Sequence, residues 1–474
     1  MVDVVIVGAG IVGCAMAYAL SLTNLSVLVL EKNVEVLDEV SSANSGIIHA
    51  GYDPDEGSLK ALLNVRGAIL YQELCPRLGV ERLQCGGLVI AKAFDEMDAL
   101  EALKVKALRR GIPFEVLNRE DALAKEPHLT PEVIQALYFP TVAVIMPWKM
   151  GYAFITNAVA NGVTLKTDEP LIAVERGHHF TLKTPKGTYD AKMVINCAGL
   201  GGDVVAQLHD PASLKRLYFR KGEYQITDKF DGDYLNHVIY PVPSPLFGKG
   251  VLAIKTVEGN LMFGPNSQRI DDPYDFSTSS DGLAEVQRKL PQIIVPMPLT
   301  RMIRQFAGVR PISTTKDFIL EDKDGWVNAI GIDSPGLASA PAIAEYLLNT
   351  FIKPRLNPQP MQRTVYHDPI PVNHLSHTER HKRIQASPDD GRIVCVCEGV
   401  SKGDVIRAVH GIVPATTLKG IKRRLRPGSG RCQGGFCESR IVEILAQELA
   451  IEPTQVLYDR SGTHFLSTVG EPHE

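Results

Sequence analysis

The sequence predicts an α/β chain whose front end is a parallel nucleotide-binding sheet and whose back end is a small helical unit carrying cysteines. Three observations support this. An apolar run, Val4–Val7, leads straight into Gly8-Ala9-Gly10-Ile11-Val12-Gly13. A segment of helical period to about Leu22 follows, then a second apolar run, Val27–Leu30, ending in Glu31. Half of the eight cysteines fall in Cys395-x-Cys397 and Cys432-x4-Cys437, with 34 residues between the pairs.

Composition sets the outer limits. At 474 residues and 45% hydrophobic, the chain can bury more than one core, and two or three domains are expected. A net charge of −4 gives no sign of nucleic-acid binding by the whole molecule. The N-terminus shows no basic leader or cleavage site. No run of about 20 apolar residues is present to span a membrane, so at most peripheral membrane contact is expected. Thiols at metal-site spacing suit the cytoplasm better than a disulfide framework does.

Taken in order, Val4–Val7 reads as a buried parallel strand. Gly8 permits the tight turn, Gly10 lets a pyrophosphate approach the backbone, and Gly13 lets helix and strand pack closely. The phosphates would sit at the helix start, near Ile11, where free N–H groups point at them. Glu31, with Lys32 beside it, is placed for the adenosine ribose. This fingerprint does not separate FAD from NAD. Ser41 to Gly51 is a small, polar segment ahead of a helix near Ser58, and its Ser42, Asn44, Ser45, Gly46 and Ile48 would let backbone lie against a flat ring. Met193–Asn196 is another buried strand, ending in Cys197-Ala198-Gly199. Gly331–Leu337 leads into a helix from about Ala338 to Leu348. The N–H groups of Gly336, Leu337 and Ala338 would stabilise negative charge on a reduced flavin. Segments so far apart in the chain, converging on one nucleotide, suit a bulky embedded cofactor.

These segments, with Asn44–Gly51, Phe219–Tyr224, Gly259–Pro265 and Ser334–Leu337, resemble the FAD-dependent family of glycerol-3-phosphate and L-2-hydroxyglutarate dehydrogenases. More distantly they resemble amino-acid oxidases. The resemblance covers about residues 1–355. It implies an α/β flavoprotein with a Rossmann-like FAD-binding domain at 1–90, 140–210 and 300–355. A helical excursion at 91–139 and an antiparallel α+β substrate cap at 211–299 would be inserted. Gly308 and Arg310 would lie beside the flavin on the return from the cap.

Alcohol oxidation needs a base, a grip on the substrate anion and a dry pocket. His49, flanked by small residues, suits the proton; its alternative role is hydrogen bonding to flavin or backbone. Arg310 can grip a carboxylate or phosphate through two parallel hydrogen bonds, the alternative being an ion pair between domains. Lys255 is a second cation, on a strand that could face pocket or solvent. Tyr240 and Lys221 are further pocket candidates. Many L-2-hydroxyglutarate enzymes of the family carry histidine where this strand places Leu252, which counts against that substrate. Cys75, Cys85 and Cys197 read as buried filler, Asp53, Asp55 and Glu56 as a solvated turn, and His178 and His179 as a hairpin tip.

A connector at 356–390 precedes the cysteine unit at 391–455, with a tail at 456–474. Ser401 and Asp404 have capping-box spacing, and further helices are expected near Leu418 and over Glu438–Leu449. Cys395, Cys397, Cys432 and Cys437 can hold zinc or a [2Fe-2S] cluster, and spacing alone leaves the two tied. Gly430–Cys437 resembles the cluster sequence of bacterioferritin-associated-ferredoxin-like domains, which implies [2Fe-2S]. Lys422, Arg423, Arg424, Arg426 and Arg431 would offset cluster charge or receive an acidic partner; a nucleic-acid patch lacks the aromatic interleaving it needs. The combined expectation is FAD-linked oxidation of sn-glycerol 3-phosphate, with electrons leaving through the cluster to a redox partner or quinone pathway. The alternatives are an L-2-hydroxy acid, an amino or imino acid, or a noncatalytic electron-transfer subunit.

Overall fold

The computed structural model describes residues 1–214, 216–243, 250–296 and 301–467. Its first sheet is centred on strand Val2–Val7, which pairs in parallel with Val27–Leu30 on one side and Gly187–Asn196 on the other. Strands Thr164–Lys166 and Trp326–Ile330 extend it in parallel at either side. Val27–Leu30 and Trp326–Ile330 are buried throughout, as strands covered on both faces require. Helix Ile11–Ser21 is buried at ten of its eleven residues because it lies between helices Pro147–Ala160 and Gly336–Leu347. His178 and His179 form the tip of the hairpin between Ala173–Arg176 and Phe180–Thr184.

The second sheet is larger than the expected cap. Its long strands Leu217–Thr227 and Met302–Ser313 run antiparallel along their whole length. Strands Leu261–Gly264, Leu252–Lys255 and Val238–Pro241 continue the sheet. Gly87–Ala91, Gln135–Phe139 and Glu115–Asn118 follow, and Gln268–Ile270 pairs with the start of Leu217–Thr227. The segment 91–139 therefore holds helix Met97–Arg109, as expected, but also two sheet strands. Met302–Ser313 likewise pairs with the cap rather than the nucleotide sheet. The reason is side-chain alternation. Val89 and Leu137 face one buried core while Leu88, Ile90 and Ala136 face another, so the strands carry apolar residues on both faces.

The segment 356–390 wraps the first domain. Thr23 bridges Pro360, and the Arg363 guanidinium donates to the carbonyls of Ser21 and Thr23. It also contains helix His377–Ala386. The cysteine module has a two-stranded ladder, Ile393–Cys395 with Val400–Ser401, and helices Lys402–Val409, Leu418–Leu425 and Glu438–Leu449. The Ser401–Asp404 capping box forms, with Ser401 Oγ accepting from the Asp404 N–H at 3.1 Å. Val456 is buried in the module's core and Leu457 bridges His464, so the start of the expected tail belongs to the module. Residues 468–474 of that tail lie outside the described residues. Among the described residues, no helix is long and apolar enough to cross a membrane.

Candidate active site and cysteine centre

The fingerprint forms a cradle that only glycine fits. Gly8 has φ +100°, and a Cβ there would lie 2.6 Å from the Cys197 carbonyl oxygen. A Cβ on Gly13 would lie 2.0 Å from the Gly8 oxygen. Beside it opens a cavity of about 460 Å³ lined by Gly10, Ile11, Asn44, Ser45, Gly199, Gly308, Gly336, Leu337 and Ala338, among others. The Ile11 N–H donates to Ser41 Oγ at 2.9 Å, so Ser41 occupies the mouth of the helix where an anion would sit. Ser41 was passed over in sequence in favour of Ser42, whose Oγ donates to the Glu39 carbonyl. Ser42 and Gly46 line a neighbouring cavity instead, and Ile48 is packed in the core. Asn44 Oδ1 accepts from the Gly46 N–H at 2.9 Å and shapes that turn.

Glu31 is buried below the cradle, and its carboxylate accepts from the N–H groups of Ala9 at 2.7 Å and Asn33 at 2.9 Å. Burial pushes its pKa up to about 7. Lys32 pairs with Glu39 at 2.7 Å and lies over the Tyr274 ring, outside the cavity lining. Ala198 lies next to the lining residue Gly199. The glycine cradle, the buried acid and the second helix start at Gly336 fit an FAD with its ring in this cavity.

Charged and polar side chains also reach this cavity. His49, Arg220, Arg310, Tyr224, Leu252, Asn266 and Ser267 line it. His49 Nδ1 lies 3.5 Å from Tyr240 Oη, and Asn64 Nδ2 donates to the His49 carbonyl at 2.8 Å. Burial raises the Tyr240 phenol far above its ordinary pKa, so it stays protonated. Arg220 and Arg310 face each other directly across the two long strands. Lys255 is not in the lining; its Nζ pairs with Asp233 at 3.6 Å. Lys221 is also elsewhere, buried against Asp275 at 2.6 Å. Arg220 is the residue the sequence reading missed. Strand alternation puts it on one face with Gly222 and Tyr224, a signal already present in Phe219–Tyr224.

In the cysteine module, Cys395 and Cys437 are buried while Cys432 is exposed. The thiols lie close to one another in two pairs, Cys395 with Cys437 and Cys397 with Cys432. The neighbouring Cys437 thiol pushes the Cys395 pKa down to about 6. Backbone N–H groups point at the sulfurs: Gly428 at Cys395 and Cys437, Glu398 at Cys395, and Gly434 and Phe436 at Cys432. A Cβ on Gly430 would lie 2.3 Å from the Cys397 Cβ, so the loop closes over the thiols only with glycine there. Among the described residues, no three His, Cys, Asp or Glu side chains are grouped around one ion position. Two thiol pairs with amides aimed at sulfur fit two irons with two thiolates each.

The basic run does something other than expected. Arg423 pairs with Asp38, and Arg424 pairs with Glu35 at 3.2 Å, both carboxylates of the nucleotide domain. Arg426 pairs with Glu258 at 3.5 Å and Glu398 at 3.2 Å, and Arg431 pairs with Asp228 of the long cap strand's end. These arginines clamp the module to the rest of the chain.

Comparison with known proteins agrees with this geometry. The model of FAD dependent oxidoreductases matches residues 3–350, and that of the BFD-like [2Fe-2S] binding domain matches residues 393–447. The chain is 38% identical over 478 residues to a glycerol 3-phosphate dehydrogenase of Caloramator mitchellensis, with 98% of each chain covered. It is 31% identical over 301 residues to the mitochondrial L-2-hydroxyglutarate dehydrogenase of Homo sapiens, covering 58% of this chain and 64% of that one. Its fold matches the FAD-bound, dithionite-reduced L-α-glycerophosphate oxidase of Mycoplasma pneumoniae with a TM-score of 0.72. Identity there is 28%, over 78% of this chain and 99% of the other. The protein is an FAD-dependent enzyme that oxidises a small polar or anionic metabolite and passes electrons to its own iron–sulfur domain. With the glycine cradle, buried acid and paired thiols in place, the chain belongs to the FAD dependent oxidoreductase family, extended by a BFD-like [2Fe-2S] domain.

Proposed function

We propose that the chain oxidises sn-glycerol 3-phosphate to dihydroxyacetone phosphate. The observation that carries this reading is the opposed pair Arg220 and Arg310, both on the cavity that holds His49. Like charges in that relation repel. Their hydrogen bonds within the protein go to neutral groups, the Ser267 hydroxyl at 3.0 Å and the Asn266 carbonyl at 3.3 Å. A phosphate dianion placed between them answers both charges and accepts from both planar guanidinium groups. A single carboxylate answers only one. Leu252, in the same lining, offers no donor to the second carboxylate of a 2-hydroxy diacid.

The reaction removes a hydride from the carbinol carbon and a proton from its hydroxyl. Bound FAD supplies the hydride acceptor. His49 handles the proton: an Nδ1–H held toward the Tyr240 oxygen makes Nε2 the acceptor of the hydroxyl proton. The two arginines would fix the phosphate and hold the carbinol within reach of His49. Anaerobic mixing tests the assignment. Glycerol 3-phosphate should bleach the flavin band rapidly, while L-2-hydroxyglutarate and glycine leave it oxidised. Replacing Arg220 or Arg310 by alanine should weaken substrate binding by roughly one to two decades, the worth of a charged hydrogen bond. Bleaching by a hydroxy acid at the rate of the phosphate ester would overturn the reading.

A further inference from the structure

A second cavity, of about 630 Å³, lies where the flavin-binding segment, the cap and the cysteine module meet. Ala43, Asn44 and Ser45 line both cavities, so one short stretch of backbone separates this space from the flavin pocket. The opposite wall includes Lys422, Arg426 and Ser429, on the approach to the cluster loop. Arg304 enters from the long cap strand, and its guanidinium donates to Gln433 Oε1, between Cys432 and Cys437, at 3.1 Å.

The charges of this lining do not balance. Arg304, Lys419, Lys422, Arg423, Arg426 and Arg460 face Asp38, Glu39 and Asp459. Asp38 is taken up by Arg423 and Arg460, Asp459 by Lys419, and Glu39 by Lys32. Arg426 already has Glu398 and Glu258. Arg304 and Lys422 remain, bonded to neutral groups: Gln433, and the Gly428 carbonyl at 2.7 Å. The rest of the wall mixes small polar residues with apolar and aromatic ones, Trp148, Phe306 and Tyr458 among them. Arg304 and Lys422 both donate their hydrogen bonds to amide oxygens, with Glu438 the carboxylate near Lys422, and so repeat the bonding pattern of Arg220 and Arg310 at a second cavity.

We infer that this cavity binds a phosphorylated ring compound of mononucleotide size, its phosphate between Arg304 and Lys422 and its ring against Trp148 and Phe306. The volume falls within the range of about 300–1,000 Å³ usual for small-molecule sites. Paired cations select a phosphate, and aromatic walls select a planar ring. Occupancy places that ring between the flavin and the cluster loop.

The test uses the full-length, FAD-loaded protein without substrate, so it stands apart from the glycerol 3-phosphate assignment. Adenosine 5′-monophosphate, riboflavin 5′-phosphate and inorganic phosphate are titrated separately by calorimetry. One ring phosphate should bind at one per chain, and which one binds identifies the ring. The Arg304→Gln/Lys422→Gln variant should weaken that binding by about a hundredfold. Trp148→Ala should weaken it while leaving phosphate affinity unchanged. FAD content and the visible spectrum of the cluster confirm that each variant is folded. No binding of either ring compound at millimolar concentration would overturn the inference. So would inorganic phosphate binding as tightly as both, or binding unchanged in the double variant.

Discussion

His49 is held from two directions, by Asn64 on its carbonyl and by Tyr240 near its ring. Its replacement by alanine removes the proton acceptor but leaves both arginines. General acid–base contributions of about 10²–10⁴ set the expected slowing of flavin reduction by substrate. Stopped-flow absorbance should show that loss with FAD content intact and substrate affinity changed only slightly. Glu31 yields a pH prediction. Its pKa near 7 in the FAD-free fold lies above the ordinary 4.5, so folding takes up a proton between those values. The FAD-free protein therefore loses stability as pH rises through that window. Ribose hydroxyls donating to the carboxylate would favour its ionised form, so FAD binding there would expel the proton. FAD affinity should climb from about pH 5 to 7 and then level off. Titrations at several pH values check this, and Glu31→Gln should flatten the curve. At this scale the placement of Gly8, Gly13 and Glu31 at the cradle, and of His49 and Arg310 on the cavity, was legible because each has a position fixed by a motif. Lys255 was not. It has the strand parity of Ala253, which faces one core, while Leu252 faces the other. Both faces of this sheet are buried, so polarity along the strand cannot say which side meets the cavity.

Helix Leu418–Leu425 shows what spacing alone conceals at the scale of elements. Its period and its Thr417 cap are readable from sequence, and the cap forms, with Thr417 Oγ1 accepting from the Gly420 N–H at 2.9 Å. Its partners are not readable, because Glu35 and Asp38 lie far upstream, in the loop after the second strand. Glu35 accepts from the Thr416 N–H at 2.9 Å and the Arg424 guanidinium at 3.2 Å, so the helix start is docked at once by charge and backbone. Asp38 receives Arg423, Arg460 and Lys419 together. Burial opposes ionisation of its carboxyl, but the three cations hold it well below the usual range. Its contribution is therefore fully present above the ordinary carboxylate pKa and is lost only as pH falls through the lowered value. Asp38→Ala leaves three cations facing one another in a buried site. Breaking such a cluster costs about 3–5 kcal/mol. Thermal melts should show the cysteine module loosening first, while the FAD cradle stays bound. Unchanged melting would remove Asp38 from this role. The cap sheet was undercounted for a related reason: strands 87–91 and 135–139 carry apolar residues on both faces and lack the clean alternation that marks a half-exposed strand.

For the whole molecule, strand Met302–Ser313 ties the centres together. Arg304 bonds the cluster loop at Gln433, Gly308 lines the flavin cavity, and Arg310 lines its substrate end. At about 3.3 Å per residue, four residues of strand, roughly 13 Å, separate the flavin contact from the cluster contact. The four-residue run ends at a module whose Cys432 is exposed, whereas Cys395 and Cys437 are buried. Electrons thus enter at the flavin cavity and reach a cluster with one edge open to solvent, where a redox partner can approach. Cys432→Ser separates the two halves of that route. It removes one thiolate at the open edge and leaves the flavin cavity and the Asp38 and Glu35 contacts untouched. Glycerol 3-phosphate should still bleach the flavin at an unchanged rate in a single anaerobic turnover. The electron paramagnetic resonance signal of the reduced cluster should be lost, and steady turnover with an external acceptor that draws on the cluster should fall with it. Steady turnover at the parental rate, with the cluster signal absent, would show that electrons leave from the flavin directly and that the module only braces the fold.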